Sequence, residues 1–383
     1  MNRDLRLLVV GSAVSVAGDA MALVALTLRL QPHGSAWVGS LLAAELLPAA
    51  VLAPLTGRLV DRVETRRLLV VLMALQALIA VPLAVARQPW LVVALALLLG
   101  SVAAVVVPAG AALIPAVTGP DGAAQGYRLM SMSVALGFVV GPAVGGVLVG
   151  TLGSTWTVLL DAASFALLAL SRLAVSARRH PVPGEQGLAR GPNPVWRSRP
   201  LALAVVTTAL ALTCGVVDNV AAPFRFVDEL HGSAGTYGAY LTIWSLGAVA
   251  GAPLTGRLGS PARALAVGNV VAGLGICGIG LAPTTAVAFV AAAVGGVGNG
   301  FLNAAQGAVI ASHVPEAQHG RAFATAGAVF STGLLAGTLV GPVLVTAVDA
   351  GGAMVLAGSA TVLVALPLVG LRKRSTARLG FQV

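Results

Sequence analysis

Charge is what this chain has least of. Charged residues make up 9% of its 383 positions, against about 25% in an average soluble domain. So few charges cannot cover a water-facing surface, and a soluble globular protein is excluded. Lysine occurs once, at Lys373, which removes the glycine-rich nucleotide loop whose lysine reaches the phosphates. Two cysteines, Cys214 and Cys277, lie inside apolar runs, so neither a disulfide framework nor a thiolate metal site is expected. His313 and His319 share a loop and read as solvated. With no metal-ligand cluster and no nucleophile motif, the sequence offers no enzyme and calls for no cofactor.

Apolar residues, by contrast, reach 57%, and there are 47 glycines, a residue common in membrane helices because it lets backbones approach closely. Stretches of roughly 20 apolar residues can span a bilayer, and twelve are found, at 5–30, 36–57, 68–86, 90–114, 129–152, 156–175, 201–226, 235–257, 264–282, 284–311, 322–348 and 352–371. The expected fold class is an all-α membrane protein of twelve transmembrane helices.

The chain is also duplicated. Ala53-Pro54-Leu55-Thr56-Gly57-Arg58-Leu59 recurs as Ala252-Pro253-Leu254-Thr255-Gly256-Arg257-Leu258, 199 positions later, and each copy follows a His-Gly-Ser-Ala, at His33 and His231. Pro115 and Gly141-Pro142 find Pro315 and Gly341-Pro342 at an offset of 200. Two parallel six-helix bundles, 1–175 and 200–383, joined by a polar linker at 176–199 rich in Pro, Gly and Arg, follow from this repeat. Parallel repeats in a membrane protein point to a transporter with its site between the halves near the midplane.

Arginine placement sets the orientation. With both termini inside, 20 of the 23 basic residues fall on the cytoplasmic side, and Arg29, Arg87 and Arg225 fall outside, as the positive-inside rule requires. The net charge of +10 is thereby a matter of topology and needs no nucleic acid partner. Trp37, Trp90 and Trp156 open the second, fourth and sixth spans at their outer ends, where amphipathic rings prefer the interface. Arg3 and Arg6 followed by an apolar run and Ala20-Met21-Ala22 imitate a signal peptide; the segment is the repeat partner of the seventh span and is expected to be retained.

Between the second and third spans stands Gly57-Arg58-Leu59-Val60-Asp61-Arg62, followed by Arg66-Arg67. Glycine permits a tight exit, the acid can accept from arginines or cap a helix, and the arginines hold the loop inside. This segment resembles the signature loop of the major facilitator superfamily, with Glu64 where that family usually has glycine. The resemblance covers the whole chain and implies the major facilitator fold, with Gly57, Asp61, Arg62, Arg66 and Arg67 as a conformational-switch loop. In the fifth span, Gly137-x-x-x-Gly141-Pro142-x-x-Gly145-Gly146 resembles the glycine-proline motif of that superfamily's drug-exporting antiporters. Ser15-x-x-Gly18-Asp19 and Leu160-Asp161-Ala162-Ala163-Ser164-Phe165 are similar to its macrolide-efflux and enterobactin-exporter branch.

Acids inside the bilayer are costly and therefore functional candidates. Glu45 lies eight residues beyond Trp37, roughly 12 Å along a helix and close to the midplane. Asp19 and Asp218 are repeat partners on the first and seventh spans, toward the outer half, and Asp161 sits on the sixth. These four are the proton-coupling candidates; helix-to-helix hydrogen bonding or water contact is the alternative for each. Asn299, Asn303 and Gln306 share one helical face of the tenth span, and with Asn219, Trp244 and Tyr240 they are the substrate-cavity candidates. For the amides, interhelical bonding is the competing role, and for Trp244 a lipid-facing one. Arg29 and Arg225 read as interfacial anchors, gates or counter-ions.

These residues, with the resemblance, imply a secondary transporter exporting a small, largely hydrophobic compound in exchange for protons. It would be a monomer in the inner or plasma membrane whose partners are substrate, protons and lipid. Export of a siderophore or other endogenous metabolite, an uncoupled facilitator, and a non-transporting membrane sensor or assembly factor are the alternatives. Reporter fusions after Leu371 and near Gly187 are expected to report cytoplasm; a periplasmic signal at either would break the twelve-span map.

Overall fold

A backbone in hydrocarbon must satisfy its own hydrogen bonds, so apolar runs of this length can only be helices. The computed structural model describes residues 3–119, 122–176, 193–315 and 318–369, with backbone alone at 53–55, 57–58, 60–61 and 369. Most of the expected linker, 177–192, and the basic tail from 370 lie outside the described residues. No strand occurs among those described. The long helices are α1 Arg3–Leu30, α2 Ser35–Arg62, α3 Thr65–Val85, α4 Pro89–Thr118, α5 Ala123–Thr151 and α6 Ser154–Leu173 in the first half. The second half holds α7 Arg199–Glu229, α8 Ala234–Gly251, α9 Pro261–Leu281 and α10 Thr285–His313. A continuous stretch His319–Val369 then divides into α11 (319–347) and α12 (350–369) where Val348 and Asp349 leave helical geometry. Asp349 takes φ 67° there, and its carboxylate accepts from Gly352 N–H at 2.6 Å, capping α12.

Ten of these stretches are long and apolar enough to cross a membrane, the 50-residue His319–Leu368 counting once. Its kink falls where the eleventh and twelfth spans were expected to part, and α8, whose first turns carry Thr236 and Tyr237, completes the twelve. Helix ends differ from expectation in several places: α4 runs on to Thr118 and α5 begins at Ala123, ahead of the expected 129. α2 runs on through Arg62, so the signature loop is largely the last turns of a helix, with Glu64 at the N-cap of α3 in an ordinary negative-φ conformation (φ −57°) that needs no glycine. α8 passes into a 3-10 segment at Ala252–Leu258. Large apolar side chains such as Leu78 (69% exposed) and Leu281 (70%) face outward, as a lipid-facing belt does and a water-facing surface does not.

The repeat is visible in packing. α1 packs on α5, α2 on α4 and α3 on α6, and their counterparts are α7 on α11, α8 on α10 and α9 on α12. One end of the bundle carries Trp37, Trp90 and Trp156; the other carries the arginines of the α2–α3 junction. At the tryptophan end, Arg29 Nη1 donates to the carbonyls of Leu83 (2.9 Å) and Ala86 (3.1 Å), closing the C-terminus of α3, and Nε donates to Ser154 Oγ at the start of α6. Arg225 does the same for α9, Nε donating to the Ile279 carbonyl (3.2 Å) and Nη2 to that of Ala282 (2.6 Å). Its Nη1 pairs with Glu229 at 2.7 Å, and Glu229 accepts from Ala350 and Gly351 N–H at the start of α12. Arg225, Ile279, Ala282 and Ala350 each lie 196 positions after Arg29, Leu83, Ala86 and Ser154, with Glu229 added in the second half. Both arginines are thus fasteners joining the first, third and sixth helix of each half, placing cations where helix C-termini are negative.

The two halves meet through small residues. On α5, Gly137, Gly141 and Gly145 turn toward α1, where added Cβ atoms would come within 2.7 Å of Val16, 2.6 Å of the Ala17 carbonyl and 2.8 Å of Met21. Gly146 instead faces α8 of the other half, 2.6 Å from the Ala234 carbonyl, and a Cβ on Gly238 would clash with the Pro142 carbonyl. The counterpart crossing sets Gly39 of α2 against Pro342 of α11. Arg225→Ala, by removing two charge-assisted bonds and freeing Glu229, is expected to cost on the order of 3 kcal/mol in a thermal or denaturant melt. An unchanged melt would show that the staple carries no stability.

Candidate functional site

Helix crossings at mid-depth bring three acids of the first half together. Gly18 on α1 lies so close to α6 that a Cβ there would strike Asp161 and Ser164, and Gly100 on α4 lets α2 approach at the Glu45 backbone, 3.3 Å from a would-be Cβ. Asp19, Glu45 and Asp161 are close enough that their charges interact directly. They differ in access. Asp161 is 1% exposed and accepts from Ser164 Oγ at 3.2 Å; Glu45 is half-buried; Asp19 is exposed into a cavity of about 420 Å³ that it shares with Ser12, Ser15 and Gln76.

Asp218 takes a different setting in the second half. It is 4% exposed, one carboxylate oxygen accepts a short hydrogen bond from Tyr240 Oη, and the other has no partner. Tyr240 itself is 1% exposed and stacks on Phe226 at 4.5 Å, so its ring belongs to the core and not to a cavity wall. Its neighbour Tyr237, also buried, interacts electrostatically with Asp218 and with Glu45 across the halves. Sequence reading passed over Tyr237; its spacing of three from Tyr240, among only three tyrosines in the chain, was the available signal.

The remaining candidates sort by accessibility. Asn219 and Asn303 are exposed, Asn299 and Gln306 partly so, and none of the four side chains makes a hydrogen bond within the protein among the described residues. Amides inside a span must be wetted or ligand-bound, because an unmet amide in hydrocarbon is costly; these are free to contact either. Gln306 turns toward α7 and α9, beside Ala204 and Leu265. Trp244 packs its ring edge against Gly295, and its backbone against Gly296, on α10.

At the opposite end, Arg66 Nε donates to the Arg172 carbonyl at 3.2 Å and Nη2 to that of Leu173, closing the C-terminus of α6. Arg67 pairs with Glu64 at 2.9 Å with its own side chain 80% exposed, an ion pair worth little. Arg62 is exposed, and the side-chain positions of Gly57 and Asp61 lie outside the described residues. Hydrogen bonds across the halves gather from mid-depth to the tryptophan end: Thr242 Oγ1 to the Val139 carbonyl (3.0 Å), Ser35 Oγ to the Pro342 carbonyl (3.1 Å), and Gln31 Nε2 to Asp228 (2.7 Å). A double-mutant cycle of Tyr240→Phe with Asp218→Asn is expected to give a coupling of about 1–3 kcal/mol in stability. Additive effects would mean that the pair is not bonded.

A protein-family model described as Major Facilitator Superfamily matches residues 8–218 and again 201–381. The multidrug efflux pump Tap of Mycobacterium tuberculosis is 31% identical over 286 residues, 68% of this chain. That of Mycobacterium bovis matches equally, and the alignment spans 66% of the pump's own length, just short of two thirds. Among solved structures, the nucleoside transporter NupG superposes with a TM-score of 0.81 at 14% identity, covering 98% of this chain and 100% of that one. A bacterial homologue of the human lysosomal transporter Spinster, inward-facing and unoccupied, gives 0.70 at 15% identity, covering 96% and 95%. At these identities the structural likeness concerns the fold alone.

Proposed function

The chain belongs to the major facilitator superfamily, and from that membership and the site we propose that it exports small, largely hydrophobic, drug-like compounds in exchange for protons, by alternating access. The likeness to multidrug efflux pumps supports the direction and the substrate class. The observation that carries the coupling is the acid cluster: Asp19, Glu45 and Asp161 interact within an apolar interior, and Asp19 alone opens freely to a cavity.

Three carboxylates held this close cannot all be charged without mutual repulsion and loss of hydration. A proton bound at the cluster removes that cost and lets the halves close over it; opening to water on one side restores the hydration that makes release favourable. The exposed amides Asn219 and Asn303 would meet the polar groups of a substrate whose apolar body rests on the surrounding Val, Leu and Gly surface. Close crossings at Gly146–Gly238 and Gly39–Pro342 hold the tryptophan end shut in this conformation, and rocking 1–175 against 200–383 would exchange that seal for one at the arginine end. By the positive-inside rule the arginine end and both termini would lie in the cytoplasm, and this conformation would be the inward-facing one.

Glu45→Gln is expected to bind a compound whose gradient-driven uptake by the wild type has been established, yet to lose uphill accumulation in inverted vesicles under an imposed pH gradient. Full gradient-driven uptake by this variant would remove Glu45 as the obligatory carrier and shift the role to Asp19, Asp161 or Asp218. If neutral variants of all four stayed coupled, proton exchange itself would be refuted.

A further inference from the structure

Arg172 was counted among the cytoplasmic arginines, but the structure buries it. It lies one residue before the end of α6, is 4% exposed, and among the described residues its Nε and Nη1 have neither solvent contact nor a hydrogen-bond partner. Isolating a guanidinium in this way costs several kcal/mol. The duplication shows that packing does not require it: 196 positions later stands Leu368, 1% exposed in the apolar core of the second half. The same comparison holds for Gln76, 5% exposed and without a hydrogen-bond partner among the described residues, whose counterpart is the buried Ala272. Both first-half residues line the 420 Å³ cavity that ends at Asp19, a volume within the range of about 300–1,000 Å³ typical of small-molecule sites. Between them the lining is apolar, with Met73, Ile114 and Phe165.

We propose that this crevice in the first bundle binds an amphiphilic organic anion, its carboxylate or phosphate head on the Arg172 guanidinium with Gln76 as a further donor, and its apolar body along Met73, Ile114 and Phe165. The bound head supplies the counter-charge that no described residue gives Arg172. Asp19 at the far end repels an anion and so fixes the orientation, head toward the arginine end. A free organic acid and an anionic lipid present the same chemistry. The site stands independently of the direction or coupling of transport, because it rests on the buried cation and the cavity beside it.

The test uses the full chain in phosphatidylcholine nanodiscs, titrated calorimetrically with 4-phenylbenzoate and with its neutral isostere 4-phenylbenzamide, after subtraction of protein-free discs. The acid is expected to bind the wild type about tenfold or more tightly than the amide, the effect of one charge-assisted hydrogen bond. Arg172→Gln should bring the acid down to the amide. Gly110→Phe, at a position lining the cavity where an added Cβ meets nothing within 4 Å, should block the acid while leaving Arg172 in place. Adding phosphatidylglycerol to the discs identifies the source: competition with the acid means a lipid occupant, and no competition a free organic acid. Equal binding of acid and amide by the wild type, which needs no variant to fold, would overturn the proposal, as would an acid preference that survives Arg172→Gln.

Discussion

Everything in this molecule turns on how closely two half-molecules can approach without side chains between them. At the tryptophan end the backbones of α5 and α8 meet at Gly146 and Gly238, and α2 meets α11 at Gly39 and Pro342. Lipid offers no hydrophobic drive for helices to associate, so van der Waals contact between small residues has to supply it. A Cβ at Gly238 would meet backbone, which cannot swing aside. Such a contact is either made or lost, as a two-state element requires, and in the proposed alternating access the pair of crossings would be the pivot of one half on the other.

Within each half the arginine staples work against such movement. Arg29 and Arg225 tie three helices apiece with bonds to carbonyls that helix ends leave open, so in the proposed rocking each bundle would move as a body. The halves then diverge where chemistry is needed. The first gathers Asp19, Glu45 and Asp161 and keeps the buried Arg172; the second sets Asp218 against Tyr240 and has leucine in place of the guanidinium. Tyr237 stands between the two groups of acids, in electrostatic contact with each half.

The fold was legible because membrane helices are written in composition, and because duplication and arginine placement each test the span map separately. Even the break at Val348–Asp349 fell in the expected gap. Helix ends were less legible: α2 continues through Arg62 because nothing in Gly57 to Asp61 breaks a helix whose backbone still pairs internally. The acids were found by their cost in lipid, but depth along a helix says nothing of the face a residue turns, so Tyr240 was read toward a cavity and lies in the core. Arg29 and Arg225 read as anchors for the same reason: their partners are carbonyls on helices more than 50 residues away. Arg172 looked like one more interfacial arginine, and only packing reveals that α1 and α3 close over it.

The most direct measurement is electron-electron distance spectroscopy on spin labels at each end of a chain freed of Cys214 and Cys277. One pair would sit at Gln88 and Pro283, at the tryptophan end, and another at Arg67 and Arg263, at the arginine end. Introducing Gly238→Leu should lengthen the first distance and shorten the second, because a side chain wedged at the α5–α8 crossing forces the seal open and tips the halves together elsewhere. Two unchanged distances, or two that move in the same sense, would contradict the account.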